Sequence, residues 1–418
     1  MKEQFVSLRD AVRAFAGAMN LIDSEISDHH EKVAYFAYQL ATALDFPERE
    51  RKLTFYGALL HDVGSVTMDQ GLSLRELEQL PRALARAGAS LLRRSEALAR
   101  LSDIVEASQS PWRKLKLAPE ALLRPRLMGQ IIHLSDAVAL LLKEKEHPLN
   151  QVEYIRSCVA QVGEREFHPQ VLRAFEEVAG REVVWLDLQY RPEIFLDYVP
   201  DDRWLTLEEM KRLTEFMSSI IDFRSPFTAM HSAGVAATAA GLGRLAGMSE
   251  AEQAMLRIAG DLHDIGKLKT PRAILEKPGR LTESEFNIMK EHAYDSFRIL
   301  SEVRGLEQIA DWAALHHEKL NGSGYPFHLK GETLSLGSRI LAVADVFSAV
   351  TEDRPYRKGM DREAAIQVLE GDADRGALSR SLVALLTRHY DELSALRAEA
   401  SDAAGQRYRE SLPAPEEA

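Results

Sequence analysis

Residues His316–Pro326 read HHEKLNGSGYP. Two adjacent histidines and a carboxylate run into a loop broken by glycines and closed by Tyr-Pro. Upstream stand His231, then His263-Asp264 within HDIGK, then His292; downstream stands Asp345 within VADVF. Imidazole and carboxylate are the side chains that hold first-row divalent cations. Seven such residues in one half of the chain are too many for one ion, so the pattern points to a site for two. Thiolates are absent from it, which argues against a structural zinc cage. The nitrogen ligands suit iron, manganese, nickel or zinc, and the oxygen ligands favour iron or manganese.

Around this stretch the periodicity is helical. EALARLSDIVEA (96–107) and LTLEEMKRLTEFMSSIID (205–222) place apolar residues at three-to-four spacing. Pro226 predicts the end of the second helix, because the residue before a proline avoids helical dihedrals. One run, REVVWLDLQYRPEIF (181–195), alternates apolar and polar residues and predicts a strand-like connection ahead of VPDD at 199–202. The fold class expected is all-α: two helical domains in tandem joined by a short strand-like linker. The boundaries expected are 1–180, a linker at 181–205, a second domain at 206–400 and a flexible tail at 401–418.

Composition narrows the function classes. The chain has 418 residues, 45% of them hydrophobic, which is enough for two cores. Its formal net charge of -12 disfavours a nucleic-acid polymer as partner and requires a local cationic site for any anionic substrate. A single cysteine, Cys158, excludes a disulfide framework and reads as a buried apolar residue. No apolar run reaches membrane-span length, and MKEQFVSLRD lacks a signal-peptide core, so a cytoplasmic protein without a membrane partner is expected.

The ordered set of His231, HDIGK (263–267), His292, HHEKLNGSGYP (316–326), Asp345 and RPYR (354–357) resembles the HD-GYP family, a branch of the HD phosphohydrolases. The resemblance covers roughly residues 206–395. It implies that His231, His263 and Asp345 complete one metal, that His292, His316 and His317 hold the other, and that Asp264 bridges them. Two ions roughly 3.5–4 Å apart suit phosphodiester cleavage, because they activate water and place positive charge where the transition state becomes negative. Lys267, directly after Gly266, would meet a phosphate oxygen or assist the leaving group. Tyr325 would offer a hydroxyl to phosphate or a ring to a base, although from the local sequence alone a plain tight turn is the favoured reading of the glycines and Pro326. Arg354 and Arg357 would contact the nucleotide, arginine being suited to phosphate forks and to stacking on guanine. A solvated charge run is the plain alternative for that segment. Some relatives carry a glutamate one turn before the first histidine, where it helps hold a third metal; here Phe227 stands there. A two-metal site is therefore expected, with hydrolysis slowing at the linear dinucleotide.

The chain also reads as an internal repeat. His29 precedes His61-Asp62 by the same interval that separates His231 from His263-Asp264, and IIHLSDAV (131–138) pairs Asp136 with Asp345. The first copy is eroded: Ser108-Gln109 falls where His316-His317 should be, Leu84 or a neighbour replaces His292, and Ser65 replaces Lys267. Either His29, His61, Asp62 and Asp136 are leftovers that bond one another, or they hold one metal. His30, His133, His147, His168, His328 and His389 lack partner spacing and read as ordinary histidines.

The function expected from the resemblance is cleavage of cyclic di-GMP to linear pGpG, and GMP after it, with the first half regulatory. Two other expectations stand beside it. One is a phosphodiesterase for another cyclic dinucleotide such as cyclic GMP-AMP. The other is a non-catalytic sensor that binds the nucleotide, or a diguanylate cyclase domain through the Gly322–Pro326 loop. Complete ligands in the second half favour an enzyme. Helical HD domains often pair, so a homodimer is a further expectation.

Overall fold

The computed structural model describes residues 5–21, 28–67, 74–115, 123–190, 199, 203–221, 226–353 and 358–411. These are helical apart from short connections and one antiparallel ribbon, in which β1 (Val6–Ser7) pairs with β2 (Trp204–Leu205) in the register Val6↔Leu205. The chain forms two compact units, Met1–Ile22 with Arg203–Ala418, and Asp23–Asp202. Among the described residues no helix is long and apolar enough to cross a membrane.

Three sequence expectations differ from this. Residues 1–22 belong with the second half, because β1 pairs with β2 and the helix Leu8–Met19 lies against the helix Glu283–Ser301. The run expected as a strand is helical over Glu182–Tyr190. Val184, Trp185 and Leu188 are its buried residues, a helical stripe hidden inside an apparent alternation. Trp185 is anchored by donating its indole N–H to the Ala179 carbonyl (2.9 Å). Finally, the segment expected as a tail from Ser401 continues the helix Tyr390–Ser411, and the Ser401 hydroxyl donates to the Met230 carbonyl (2.8 Å).

In the larger unit, the helix Pro226–Leu245 packs on Glu250–Leu262, Leu336–Thr351 and Tyr390–Ser411. Small residues set how closely the helices approach. A Cβ on Gly260 would fall 2.5 Å from the Ala236 Cα, so the His231 and His263 helices meet backbone to backbone. A Cβ on Gly337 would fall 2.2 Å from the Trp312 ring, which locks the helix before His316 onto the helix bearing Asp345. Capping boxes, Ser249 with Glu252 and Thr282 with Glu285, start the helices leading to His263 and His292. In the other unit, His29–Ala43 packs on Glu48–Leu59 and Leu123–Leu141, with Phe36 against Phe175 and Trp185.

The unit boundary is testable at Phe15, which is 1% exposed. Phe15→Ala should cost about 3–5 kcal/mol. Hydrogen exchange should show the loss of protection in residues 203–411. Loss confined to residues 28–190 would place the first helix in the other unit.

Candidate active site

The residues singled out from sequence come from five helices of the larger unit. His231 lies in Pro226–Leu245, and His263-Asp264 end Glu250–Leu262, where the chain tightens into the 3₁₀ turn Ile265–Lys269. His292 lies within Glu283–Ser301, His316-His317 follow Glu307–Ala314, and Asp345 lies within Leu336–Thr351. The turn after Asp264 requires glycine, since a Cβ on Gly266 would sit 2.2 Å from the His292 carbonyl oxygen. Ser296 clamps it, accepting from the Gly266 N–H (3.0 Å) and donating to the His263 carbonyl (2.8 Å).

The structure brings all seven metal-type residues into one cluster, buried except for the partly exposed His317. Asp264 turns Oδ2 to His263 Nε2 (3.2 Å) and Oδ1 to His292 Nε2 (3.4 Å). Asp345 turns Oδ1 to His231 Nε2 (3.0 Å) and Oδ2 to His317 Nδ1 (3.8 Å). Two groups result, His231/His263/Asp264 and His292/His316/His317, each with its donor atoms within 4.8 Å of one another.

The second layer sets the tautomers. His263, His292 and His316 each point Nδ1 at a backbone carbonyl three residues back, those of Gly260 (2.7 Å), Met289 (2.5 Å) and Ala313 (2.5 Å). An imidazole donating there presents its Nε2 lone pair to the cluster. Burial pushes His292 down to about 3 and His317 down to about 4, and holds His316 well below its usual range. Burial pushes Asp264 up, but His263 and Lys267 more than offset this and keep it ionised. The cluster thus combines neutral imidazoles at His292, His316 and His317 with ionised carboxylates at Asp264 and Asp345. His263 Nε2 and Asp264 Oδ1 are buried without a hydrogen-bond partner, a costly arrangement that a cation relieves. The residues therefore fit two divalent cations. His231, His263, Asp264 and Asp345 would hold one; Asp264, His292, His316 and His317 would hold the other. Bound there, the ions supply Lewis-acid activation of water and of phosphate oxygens.

Lys267 reaches Asp264 Oδ2 (2.5 Å) while its side chain stays partly open to solvent. The Tyr325 ring lies 4.7 Å from the His317 ring, and Phe286 meets Tyr325 edge-on at 5.9 Å, so an aromatic row runs outward from the cluster. Burial, with Asp345 and Asp264 nearby, pushes the Tyr325 hydroxyl up and keeps it a donor. Arg354 and Arg357 lie outside the described residues, as does the side chain of Phe227.

Two carboxylates were missed as functional. Glu318, inside the motif, holds the loop: Oε1 accepts from the N–H groups of Phe327 (2.6 Å) and His328 (3.0 Å), and Oε2 from Leu329 (3.0 Å). Gly324 is needed beside it, because a Cβ would sit 2.5 Å from the Glu318 Cα. Glu352 lies 3.0 Å from His231 Nδ1, the position that a backbone carbonyl takes at the other three histidines. Burial pulls His231 down, but Glu352 and Asp345 override this and raise it to about 10. The only sequence signal for Glu352 was its place one helical end beyond Asp345, beside RPYR.

Glu352 is a positioning residue for His231. Glu352→Gln should weaken metal retention by about 10–100-fold while the helices stay folded. Chelator titration with metal analysis and circular dichroism checks this; unchanged retention would assign Glu352 to packing alone.

HD domain family models match residues 26–141 and 215–381. The chain is 31% identical over 397 residues, 92% of each chain, to 3′3′-cGAMP-specific phosphodiesterase 1 of Vibrio cholerae. It is 41% identical over 142 residues, 34% of each chain, to a cyclic di-GMP phosphodiesterase of Pseudomonas aeruginosa. Its fold matches the crystal structure of a cyclic GMP-AMP-specific phosphodiesterase of Vibrio cholerae with a TM-score of 0.64 and 22% identity, over 93% of this chain and 98% of that one. With similarity running through both halves and a buried histidine–carboxylate cluster in the second, the chain belongs to the HD-GYP branch of the HD-domain phosphodiesterases and is a hydrolase.

Proposed function

We propose that the chain is a metal-dependent phosphodiesterase that opens 3′3′-cyclic GMP-AMP to its linear dinucleotide. Hydrolysis is supported by Asp264, whose two oxygens face two separate groups of imidazoles. The choice of substrate is supported by similarity along 92% of the chain to a relative specific for 3′3′-cGAMP. Cyclic di-GMP, the substrate expected from the motifs, is the second reading. It is favoured by relatives of 38–41% identity that match between about a third and two fifths of the chain. Iron or manganese suits the mixed nitrogen and oxygen donors. Acidic net charge, a single cysteine and a cyclic-dinucleotide substrate together support action in the cytoplasm.

In this reading water adds to phosphorus, the bond from phosphorus to O3′ breaks, and the products are a 5′-phosphate and a 3′-hydroxyl. Lys267 holds its ammonium beside Asp264, where charge develops on the phosphoryl oxygens. The Tyr325 and Phe286 rings offer π faces to a purine. Phe227, which cannot ligate, supports a two-metal site whose reaction halts at the linear dinucleotide.

Turnover of cyclic GMP-AMP, cyclic di-GMP and cyclic di-AMP should be measured side by side on anaerobically purified protein. A kcat/KM at least about tenfold higher for cyclic GMP-AMP is expected, equivalent to about 1.4 kcal/mol. An equal or reversed ratio establishes the second reading. No turnover by metal-replete protein that still binds nucleotide establishes a sensor. Lys267→Ala should lower kcat by about 10²–10³-fold with metal content intact. Chromatography should show the linear dinucleotide accumulating; rapid conversion to mononucleotides would refute the halt.

A further inference from the structure

The unit Asp23–Asp202 holds a second histidine–carboxylate cluster that the active site does not use. His29 Nε2 lies 3.2 Å from Asp136 Oδ1 and 4.0 Å from Asp62 Oδ2. His61 Nε2 lies 3.3 Å from Asp62 Oδ2 and 3.6 Å from Asp136 Oδ1. His30, set aside on sequence spacing, belongs here too: its ring is 5.6 Å from that of His61, and His30, His61 and Asp62 bring donor atoms within 4.8 Å of one another. His29, His61 and Asp136 do the same.

Comparison with the active site shows what was lost. A Cβ on Gly64 would fall 2.0 Å from the Leu84 carbonyl oxygen, as one on Gly266 would fall 2.2 Å from that of His292. Leu84 therefore stands where His292 stands, and a leucine cannot ligate. Gln109 Nε2 donates to Asp136 Oδ2 (2.8 Å), the counterpart of the Asp345 oxygen that faces His317. The half that would take a second ion is closed by an alkyl group and an amide. The other half keeps its arrangement. His61 Nδ1 lies 2.8 Å from the Ala58 carbonyl, as His263 Nδ1 does from Gly260, so the Nε2 lone pair is again presented inward. His61 Nε2 faces Asp62 and Asp136 at ion-pair distance but is buried without a hydrogen bond, an arrangement that a cation between these groups relieves.

We propose that His29, His61, Asp62 and Asp136, with His30 beside them, hold one first-row divalent cation, separate from the active-site pair. The site joins the helix His29–Ala43, the turn after Glu48–Leu59 and the helix Leu123–Leu141. An ion there ties three elements of this unit together and stabilises it by mass action. It does not hydrolyse, because Ser65 replaces the cationic Lys267 and the second-ion ligands are gone.

The test is metal analysis of the full chain loaded with Mn²⁺ without oxygen. Wild type should bind about three ions, His263→Ala/Asp264→Ala about one, and Asp136→Asn about two. In the His263→Ala/Asp264→Ala background, Mn²⁺ should increase hydrogen-exchange protection in residues 28–67 and 123–141. Adding Asp136→Asn should abolish that gain, and this readout holds even where a variant loses some stability. Two ions in wild type, with no protection gained in the double variant, would overturn the proposal and leave the cluster as residues that pair with one another.

Discussion

Asp264 is a carboxylate removed from water, and everything around it answers that constraint. Burial alone would drive it neutral; the facing imidazoles and Lys267 keep it ionised. His292 and His316 are in turn kept neutral by burial and, after it, by neighbouring imidazoles, with their Nε2 lone pairs aimed at the same space. Such a cluster is one that cations would complete. The fold's unusual contacts follow from assembling it. Backbone-to-backbone packing at Gly260, Gly266 and Gly337 brings separate helices close enough for short side chains to converge.

How much of this could be read from sequence depended on the physics behind each feature. The seven cluster residues were legible because metal chemistry admits few residue types and the motifs fall in a fixed order. Glu352 and Glu318 were not, since what makes each matter is a partner across the fold: an imidazole nitrogen on another helix for one, three successive backbone N–H groups for the other. The all-α class was legible from periodicity. The exceptions came where local pattern competed with tertiary packing. Val184, Trp185 and Leu188 looked alternating until the core showed a helical stripe. The helix after Ser401 looked solvated because its sequence is rich in alanine and acid, yet its small residues are what let it lie against Pro226–Leu245.

The two copies show what survives when chemistry erodes. The close contact of Gly64 with Leu84 and that of Gly266 with His292 are nearly the same, though one partner carries an imidazole and the other an alkyl group. Main-chain packing is held by every neighbour, so losing it costs the fold; a ligand side chain pointing into the cluster is held only by its chemistry. Erosion is also uneven. Gln109 offers an N–H at the place that His317 takes in the other unit and so hydrogen-bonds Asp136 on that side, while His29 and His61 hold the Asp136 carboxyl well below its usual range.

Discrimination among cyclic dinucleotides has to come from outside the cluster. The reacting phosphodiester is common to all of them, so groups that act on it cannot tell guanine from adenine. The aromatic row from His317 through Tyr325 to Phe286 offers ring faces, and stacking accepts either purine with similar energy. Identity must be read at the exocyclic groups, where guanine carries an oxygen acceptor at the position at which adenine carries an amino donor. A group that donates to guanine O6 is left unpaired beside adenine, and an unpaired buried donor costs far more than a weakened stack. Arg354 and Arg357 carry fixed donors and no acceptors, so in the proposed reading they suit a guanine. A preference for one guanine and one adenine then requires that the second base meet an acceptor, and residues that can accept are where specificity for the mixed dinucleotide would arise.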